Sequence, residues 1–238
     1  MKKSQFVSLV AVFASLNIVL DSLMGLPQPS SGVWFSWIFI AEPITGIVLG
    51  PYAGFLSTLI GVMIGHCIYF QGPYEFLFTL GAPIGAMISG FLFRKKWKTV
   101  FTYFTALLTI YFVTPISWQL PLWGMWDTYL AYAALIFAIM FITKPRSWKL
   151  QSKGLIYTVA LCAFIGLEAD VLFRIFVFIP CQTYRLLYTF SVIELQSIWV
   201  AGAAETPIKV AISVLITAIV GPPLIKALRK TDFLSEKL

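Results

Sequence analysis

Histidine and charge are scarce in this chain of 238 residues. It contains one histidine, His66, and 11% charged residues, against roughly 25% in an average soluble domain. A single histidine excludes the H-E-x-x-H helix of a zinc protease, and no G-x-S-x-G sequence is present for a serine hydrolase. The G-x-x-x-x-G-K-[ST] loop is also absent, which excludes ATP hydrolysis by the P-loop route. The sequence therefore gives no reason to expect an enzyme, a metal centre or a cofactor.

Cysteine is equally sparse, since Cys67, Cys162 and Cys181 form neither a C-x-x-C pair nor zinc-ligand spacing. Two interpretations stay open for Cys67 and Cys181: a disulfide near the outer face, or free thiols among apolar residues. No polar stretch is long enough for a separate core, so we expect one domain over residues 1–238.

Apolar residues dominate the composition, with 59% hydrophobic residues and a mean hydropathy of +0.88. A helix needs about 20 apolar residues to cross a bilayer. On that measure we predict an all-α membrane bundle whose spans lie near 6–26, 34–49, 52–70, 76–93, 99–117, 125–143, 154–179 and 200–227. The second span is short and contains Glu42-Pro43, so a count of six full spans with a re-entrant pair stays open beside a count of eight. The first segment also stays open between an uncleaved helix, which its length favours, and a cleaved signal.

The 17 basic residues predict the orientation, because all but Arg174, Arg185 and Lys209 fall in four clusters at the ends of apolar segments. The clusters lie at 2–3, 94–98, 144–153 and 226–237. Cytoplasmic loops collect Lys and Arg, so we expect all four clusters and both termini on the cytoplasmic side of a multi-pass cell membrane protein. Basic residues that flank apolar spans do not form the stripe of a nucleic-acid-binding face, so no nucleic-acid partner is expected.

Charged residues inside the spans are costly and therefore mark functional candidates. Asp170 and Arg174 are four residues apart on one predicted helix and can pair, as can Glu205 and Lys209. Glu168 points about 200° away from Asp170 on that helix and needs a partner from another helix. Each pair is open to two interpretations, a structural salt bridge or a substrate contact. The same holds for His66, as a packing residue or a site residue.

A pattern in the first half of the chain resembles the substrate-binding S components of energy-coupling factor (ECF) vitamin transporters. It runs from Glu42-Pro43 through Gly50-Pro51 to Gly54-Phe55, followed by Gly61 and Gly65. The stretch Glu205-Thr206-Pro207-Ile208-Lys209 is similar as well; it opens a helix that we expect to end at Gly221-Pro222-Pro223, before a basic tail. S components typically have six helices, fewer than the eight spans predicted here.

The resemblance implies a protein that binds a vitamin-like molecule from outside and is energised by a coupling membrane subunit and two ATPase subunits. A first-helix Ala-x-x-x-Ala pattern contacts the coupling subunit in this family, and Ala11 with Ser15 is the version here. Candidate substrate residues lie at the outer ends of the helices, where aromatic rings would stack on a flat ligand and arginine would hold an acidic group. They are Trp34, Trp37, His66, Tyr74, Glu75, Trp118, Trp123, Trp126, Arg174, Arg185 and Glu194. Other interpretations are a stand-alone proton-coupled transporter using Glu42 or His66, a channel, or an intramembrane enzyme or assembly factor.

Overall fold

The computed structural model describes residues 3–23, 26–27, 34–70, 72–142 and 152–230, which fold as a helical membrane bundle. The helices are α1 (Lys3–Ser22), α2 (Ile38–Leu49), α3 (Pro51–Ile68), α4 (Glu75–Thr79), α5 (Gly81–Phe93), α6 (Trp97–Val113), α7 (Trp126–Ile142), α8 (Ser152–Phe178), α9 (Thr183–Leu186) and α10 (Val192–Lys230). Two short antiparallel strands, β1 (Leu26–Pro27) and β2 (Trp34–Phe35), pair before α2. Two 3₁₀ turns, Pro115–Gln119 and Leu122–Met125, connect α6 to α7.

Several described segments are long and apolar enough to cross a membrane. By length and composition these are Ser4–Ser22, Pro51–Ile68, Glu75–Phe93, Leu122–Met140 and Val192–Arg229. The helices α2 and α6 are apolar but shorter, while α8 has 27 residues and carries acidic and basic side chains in its second half. Each predicted span therefore has a helical counterpart, and α2, with 12 residues, is the short one that the sequence indicates.

The centre of the bundle is formed by α5 and α8. Helix α5 packs against α2, α3 and α8, and α8 also contacts α6, α7 and α10. Small residues allow the close approach: a Cβ atom added to Gly166 of α8 would lie 2.9 Å from the carbonyl oxygen of Gly85 in α5. The Ser89 hydroxyl donates to the carbonyl of Cys162 across this contact, at 3.1 Å. Close packing with an interhelical hydrogen bond is a usual way to hold helices together in lipid, where the hydrophobic effect does not drive their association.

The hairpin between α2 and α3 lies at Gly50-Pro51, in the gap between the predicted spans at 34–49 and 52–70. Gly50 has φ +93°, a conformation that glycine adopts without a steric penalty. Pro51 is then the first residue of α3, where its missing N–H costs nothing. Helix α2 continues through Pro43, and every residue in it except Ile40 is buried.

The predicted spans at 154–179 and 200–227 imply a loop from Pro180 to Trp199, and the start of α10 corrects it. That helix begins at Val192, so Glu194 and Trp199 are helical. Ser191 is the reason, because its N–H and hydroxyl both donate to Glu194, each at 2.7 Å, and Glu194 N–H points back to the serine oxygen at 3.4 Å. This is the S-x-x-E capping box, a sequence signal for a helix start that the loop prediction overlooked.

The end of α10 corrects a second boundary. The helix does not stop at Gly221-Pro222-Pro223 but continues to Lys230. Proline has a helical φ, and membrane helices tolerate it where neighbouring groups satisfy the carbonyls that lose a donor. Between the first two predicted spans, residues 28–33 lie outside the described residues, as does most of the basic cluster at 144–153.

The three cysteines are free thiols in the structure. Cys67 and Cys181, for which the sequence leaves a disulfide open, are both exposed, and Cys162 is buried.

The small residues of the first helix are accessible. Ala11 and Ser15 lie on the exposed side of α1, opposite the side where Asn17 and Gly61 bring α1 against α3. The pattern predicted to contact a coupling subunit is therefore accessible from outside the bundle.

Candidate functional site

A cavity of about 290 Å³ opens at one end of the bundle. Its wall is built by the last turn of α1, the first turns of α2, α5 and α7, helix α4, the second halves of α3 and α8, and the first half of α10. Helix α5 begins at this end and finishes beside Arg94, and α8 runs from Ser152 to the cavity at Arg174. The cavity thus lies at the end of the bundle opposite Arg94 and Ser152, which is the predicted outer end.

Two cations in the cavity wall share one buried carboxylate. Arg174 Nε donates to Asp170 Oδ1 at 2.6 Å, and Lys209 Nζ donates to Asp170 Oδ2 at 3.3 Å. Asp170 is 1% exposed, whereas the Arg174 side chain is 28% exposed. The described residues provide no partner for the two terminal nitrogens of Arg174. The pairing of Asp170 with Arg174 confirms the sequence prediction, while Lys209, which the sequence placed with Glu205, also contacts Asp170 from α10.

Glu42 lies next to this group of charges but does not line the cavity. It is 0% exposed, and neither of its carboxyl oxygens has a hydrogen-bond partner among the described residues. Space for the carboxyl group exists because residue 85 is glycine: a Cβ atom there would lie 1.8 Å from Glu42 Oε1. Asp170, Lys209 and Arg174 are the charges that act on Glu42.

A second polar group in the wall links α1, α3 and α4. His66 Nδ1 lies 2.7 Å from Asp21 Oδ2, and His66 Nε2 lies 2.7 Å from Thr79 Oγ1. The Thr79 hydroxyl is also 2.9 Å from the carbonyl of Glu75. Asp21, His66 and Thr79 all line the cavity. Both ring nitrogens of His66 are engaged, so the structure holds this ring in one orientation.

Aromatic side chains form the remaining wall: Phe78, Phe178, Tyr188, Phe190 and Trp199. Trp199 stacks on Tyr111 with ring centroids 6.0 Å apart, and its indole N–H has no partner among the described residues. Tyr188 donates to Glu75 Oε1 at 3.0 Å and thereby joins the segment before α10 to α4. Burial and the nearby Glu75 carboxylate raise the pKa of Tyr188, so the phenol keeps the proton that it donates.

Three of the predicted substrate residues line the cavity, and they are His66, Glu75 and Arg174. The structure places the following predicted residues outside its wall: Trp37, Tyr74, Trp118, Trp123, Trp126, Arg185 and Glu194. Trp34 lies in β2, where its backbone pairs with Pro27. Sequence reasoning about the site missed Asp21, Asp127, Tyr188 and Trp199. Asp21 has a sequence signal, as an acid at the outer end of an apolar helix, whereas a tryptophan such as Trp199 suits the lipid interface as well as a ligand site.

Trp126 has a structural role that its exposed position does not suggest. Pro207 in α10 has no N–H, so the carbonyl of Ala203 one turn earlier loses its usual helical donor. The Trp126 indole N–H donates to this carbonyl at 2.9 Å. The tryptophan therefore compensates for the proline close to Thr206 and Lys209 of the cavity wall.

We expect Trp126→Phe to lower the free energy of unfolding by about 1–3 kcal/mol, because the Ala203 carbonyl would lose its donor. In a Pro207→Ala background the restored N–H of residue 207 can bond to Ala203, and the same Trp126→Phe change should cost less. Thermal unfolding of the four proteins in detergent measures this coupling. Equal losses in both backgrounds would show that the indole bond does not replace the one removed by Pro207.

Among known proteins, a transporter is similar in sequence to this chain. The chain is 26% identical over 162 residues to the folate transporter FolT of Clostridium novyi (strain NT), covering 64% of this chain and 93% of that protein. No family model and no solved structure matches the chain. The chain is thus a multi-pass membrane protein of helical fold that is similar to a transporter.

Proposed function

We propose that this chain is the membrane-embedded substrate-binding subunit of an uptake system for a vitamin or related small molecule. Separate coupling and ATPase subunits, as in ECF transporters, would supply the energy. The observation that carries the proposal is one cavity whose wall contains Arg174 and Lys209, both held by Asp170, together with several aromatic rings. Similarity to FolT supports it and makes folate the first ligand to test.

The arrangement suits a planar ligand that carries an acidic group. Asp170 fixes Arg174 and Lys209 before a ligand arrives, which lowers the entropy lost on binding. Arg174 uses its Nε for Asp170, so its terminal nitrogens can form two parallel bonds to a carboxylate. The rings of Phe178, Tyr188 and Phe190 offer faces and edges for a flat ring system. The Trp199 N–H would find an acceptor on that ring.

Transport in this proposal needs partners that the chain itself does not supply. Since no P-loop occurs in the sequence, ATP hydrolysis would belong to other subunits. The exposed pattern of Ala11 and Ser15 would contact the coupling subunit, since small residues let helix backbones approach closely in a membrane. The protein would lie in the cell membrane with its cavity outside. Lipid would cover the remaining apolar surface.

The test is ligand binding by the purified protein, followed by tryptophan fluorescence, because Trp199 lies in the cavity wall. We expect folic acid, or another member of a vitamin panel, to bind saturably without ATP and to quench the emission. Expression in its own cells should also allow coupling and ATPase subunits to be copurified. Failure of every vitamin to bind would overturn the proposed substrate class. Binding without any copurified partner would support the binding role of this chain but refute the supply of energy by separate subunits.

A stand-alone proton-coupled transporter is the second candidate function, and Glu42 favours it. A buried carboxyl group with two oxygens lacking partners is costly as an anion and is suited to carrying a proton. In liposomes containing this chain alone, a pH gradient would then drive accumulation of the bound vitamin, and Glu42→Gln would abolish it. The binding-subunit proposal expects no accumulation under these conditions.

A further inference from the structure

A second cavity of about 220 Å³ lies between α7, α8 and α10, beside the first. Its wall is mostly apolar, but it includes two carboxyl groups, those of Asp127 and Glu168. Asp127 lines the main cavity as well, so this side chain stands at the boundary between the two spaces. Both acids are buried, with Asp127 5% and Glu168 0% exposed.

Thr128 holds the two carboxyl groups together. Its backbone N–H donates to Asp127 Oδ1 at 2.9 Å, and its hydroxyl donates to Glu168 Oε2 at 3.0 Å. This second bond supplies the partner from another helix that the sequence predicts for Glu168. The remaining oxygens, Asp127 Oδ2 and Glu168 Oε1, are buried and have no hydrogen-bond partner among the described residues. One threonine thus satisfies one oxygen of each acid and leaves the other oxygen of each without a donor.

The charges around the pair do not neutralise it. The two described cations of this region, Arg174 and Lys209, both contact Asp170, and Glu42 is a further buried acid near them. Acids therefore outnumber cations in this layer of the bundle. The helices around the pair carry further titratable and charged groups, among them Glu42, Tyr103, Tyr111, Tyr129, Tyr132, Cys162, Asp170, Arg174, Glu205 and Lys209.

We propose that Asp127 and Glu168 share one proton and that binding in the main cavity depends on it. A hydrogen bond from a protonated carboxyl to the neighbouring carboxylate would satisfy Asp127 Oδ2 and Glu168 Oε1 together. Two adjacent buried carboxylates repel each other strongly, so one proton between them is the favourable state. A divalent cation fits less well, because it needs about six oxygen ligands and this wall is otherwise apolar.

The functional consequence follows from the position of Asp127 at the boundary. While the proton is shared, the pair carries a single negative charge. Loss of the proton adds a second negative charge beside a cavity whose cations would hold an acidic ligand. Affinity for such a ligand should then fall with rising pH, by about tenfold for each pH unit above the titration of the pair, as expected for linkage to one proton.

The proton itself is tested without a ligand, by infrared difference spectroscopy. A protonated carboxyl group gives a carbonyl stretch that carboxylates lack. We expect the purified protein to show this band at neutral pH and to lose it in alkali, and we expect Glu168→Gln and Asp127→Asn to change or remove it. Glu194→Gln, the same chemical change at the exposed cap of α10, should leave the band as it is. A spectrum without the band, or one unaffected by either buried substitution, would overturn the proposal.

The link to binding rests on the proposed function and is measured separately, with folic acid as the probe. The amide of Glu168→Gln can donate to Asp127 as the shared proton does, so it imitates the singly charged pair. Its affinity should change by less than about threefold over the pH range in which the parent protein changes tenfold per unit. An equally steep pH profile in Glu168→Gln would refute the link. If folic acid does not bind at all, the proposed ligand fails, while the infrared result still decides whether the proton is present.

Discussion

Replacing Arg174 with glutamine should weaken binding of an acidic vitamin by about 100-fold or more. The guanidinium provides charge-assisted bonds to the ligand, and loss of such bonds at a buried site costs about 3 kcal/mol. Glutamine keeps a polar side chain but lacks both the positive charge and the two parallel N–H donors of the guanidinium. Titration of tryptophan fluorescence with folic acid measures the change.

A control variant and the unfolding temperature separate binding from folding, because Arg174 also pairs with the buried Asp170. In Arg174→Gln, Asp170 keeps Lys209 as its counter-charge, so the unfolding temperature should stay close to that of the parent protein while affinity is low. Arg185→Gln makes the same change at an exposed residue of α9, outside the cavity wall, and tests the second arginine that the sequence predicts. An Arg174→Gln protein that binds normally would refute the anion site. An equally large loss in Arg185→Gln would add that residue to it.

Gly46→Ala should be the most destabilising single substitution in the α2–α5 contact. A Cβ atom at residue 46 would lie 1.7 Å from the carbonyl oxygen of Ala86 and 3.0 Å from its Cα. These are backbone atoms of the neighbouring helix, so no side-chain rotation relieves the overlap and the helices must separate. Overpacking of this kind costs about 3 kcal/mol. The measurement is the unfolding temperature in detergent, together with the yield of folded protein.

Gly202→Ala is the matched control for this prediction. Gly202 is also helical, but a Cβ atom there would meet nothing within 4 Å. Alanine favours a helix over glycine by about 1 kcal/mol, so the unfolding temperature should stay the same or rise. Similar losses in the two variants would show that the close approach of α2 and α5 does not limit the stability of the bundle.

Local sequence signals account for much of this fold. The hydrophobic runs indicate each membrane helix, and Gly50-Pro51 indicates the hairpin between α2 and α3, because a stop and a restart need only neighbouring residues. The pair of Asp170 and Arg174 is predictable for the same reason, since four residues make one helical turn. Ser191 and Glu194 also form a local signal, and reading it would have placed the start of α10 correctly.

The candidate site depends on contacts that no spacing reveals. Lys209 lies in α10 and Asp170 in α8, 39 residues apart, and only the packing of these helices brings them together. Trp126 supports Ala203 across 77 residues because Pro207 removes a donor there, and the sequence contains the proline without indicating which side chain replaces it. Some tryptophans that the sequence predicts as substrate residues lie outside the cavity wall. Sequence position alone does not distinguish them, because an aromatic residue at a helix end suits the lipid interface as well as a ligand.

The sequence by itself determined that this protein is a helical membrane bundle, and its basic clusters predicted which side each helix end faces. Both properties arise from the preference of single segments for lipid or water, a preference that needs no knowledge of neighbouring helices. Only the tertiary structure decided that Asp21 meets His66, that Asp170 holds two cations, and that Asp127 and Glu168 meet at Thr128. Those pairs depend on how far each helix is rotated and how closely its glycines let the next helix approach, which are properties of the packed bundle.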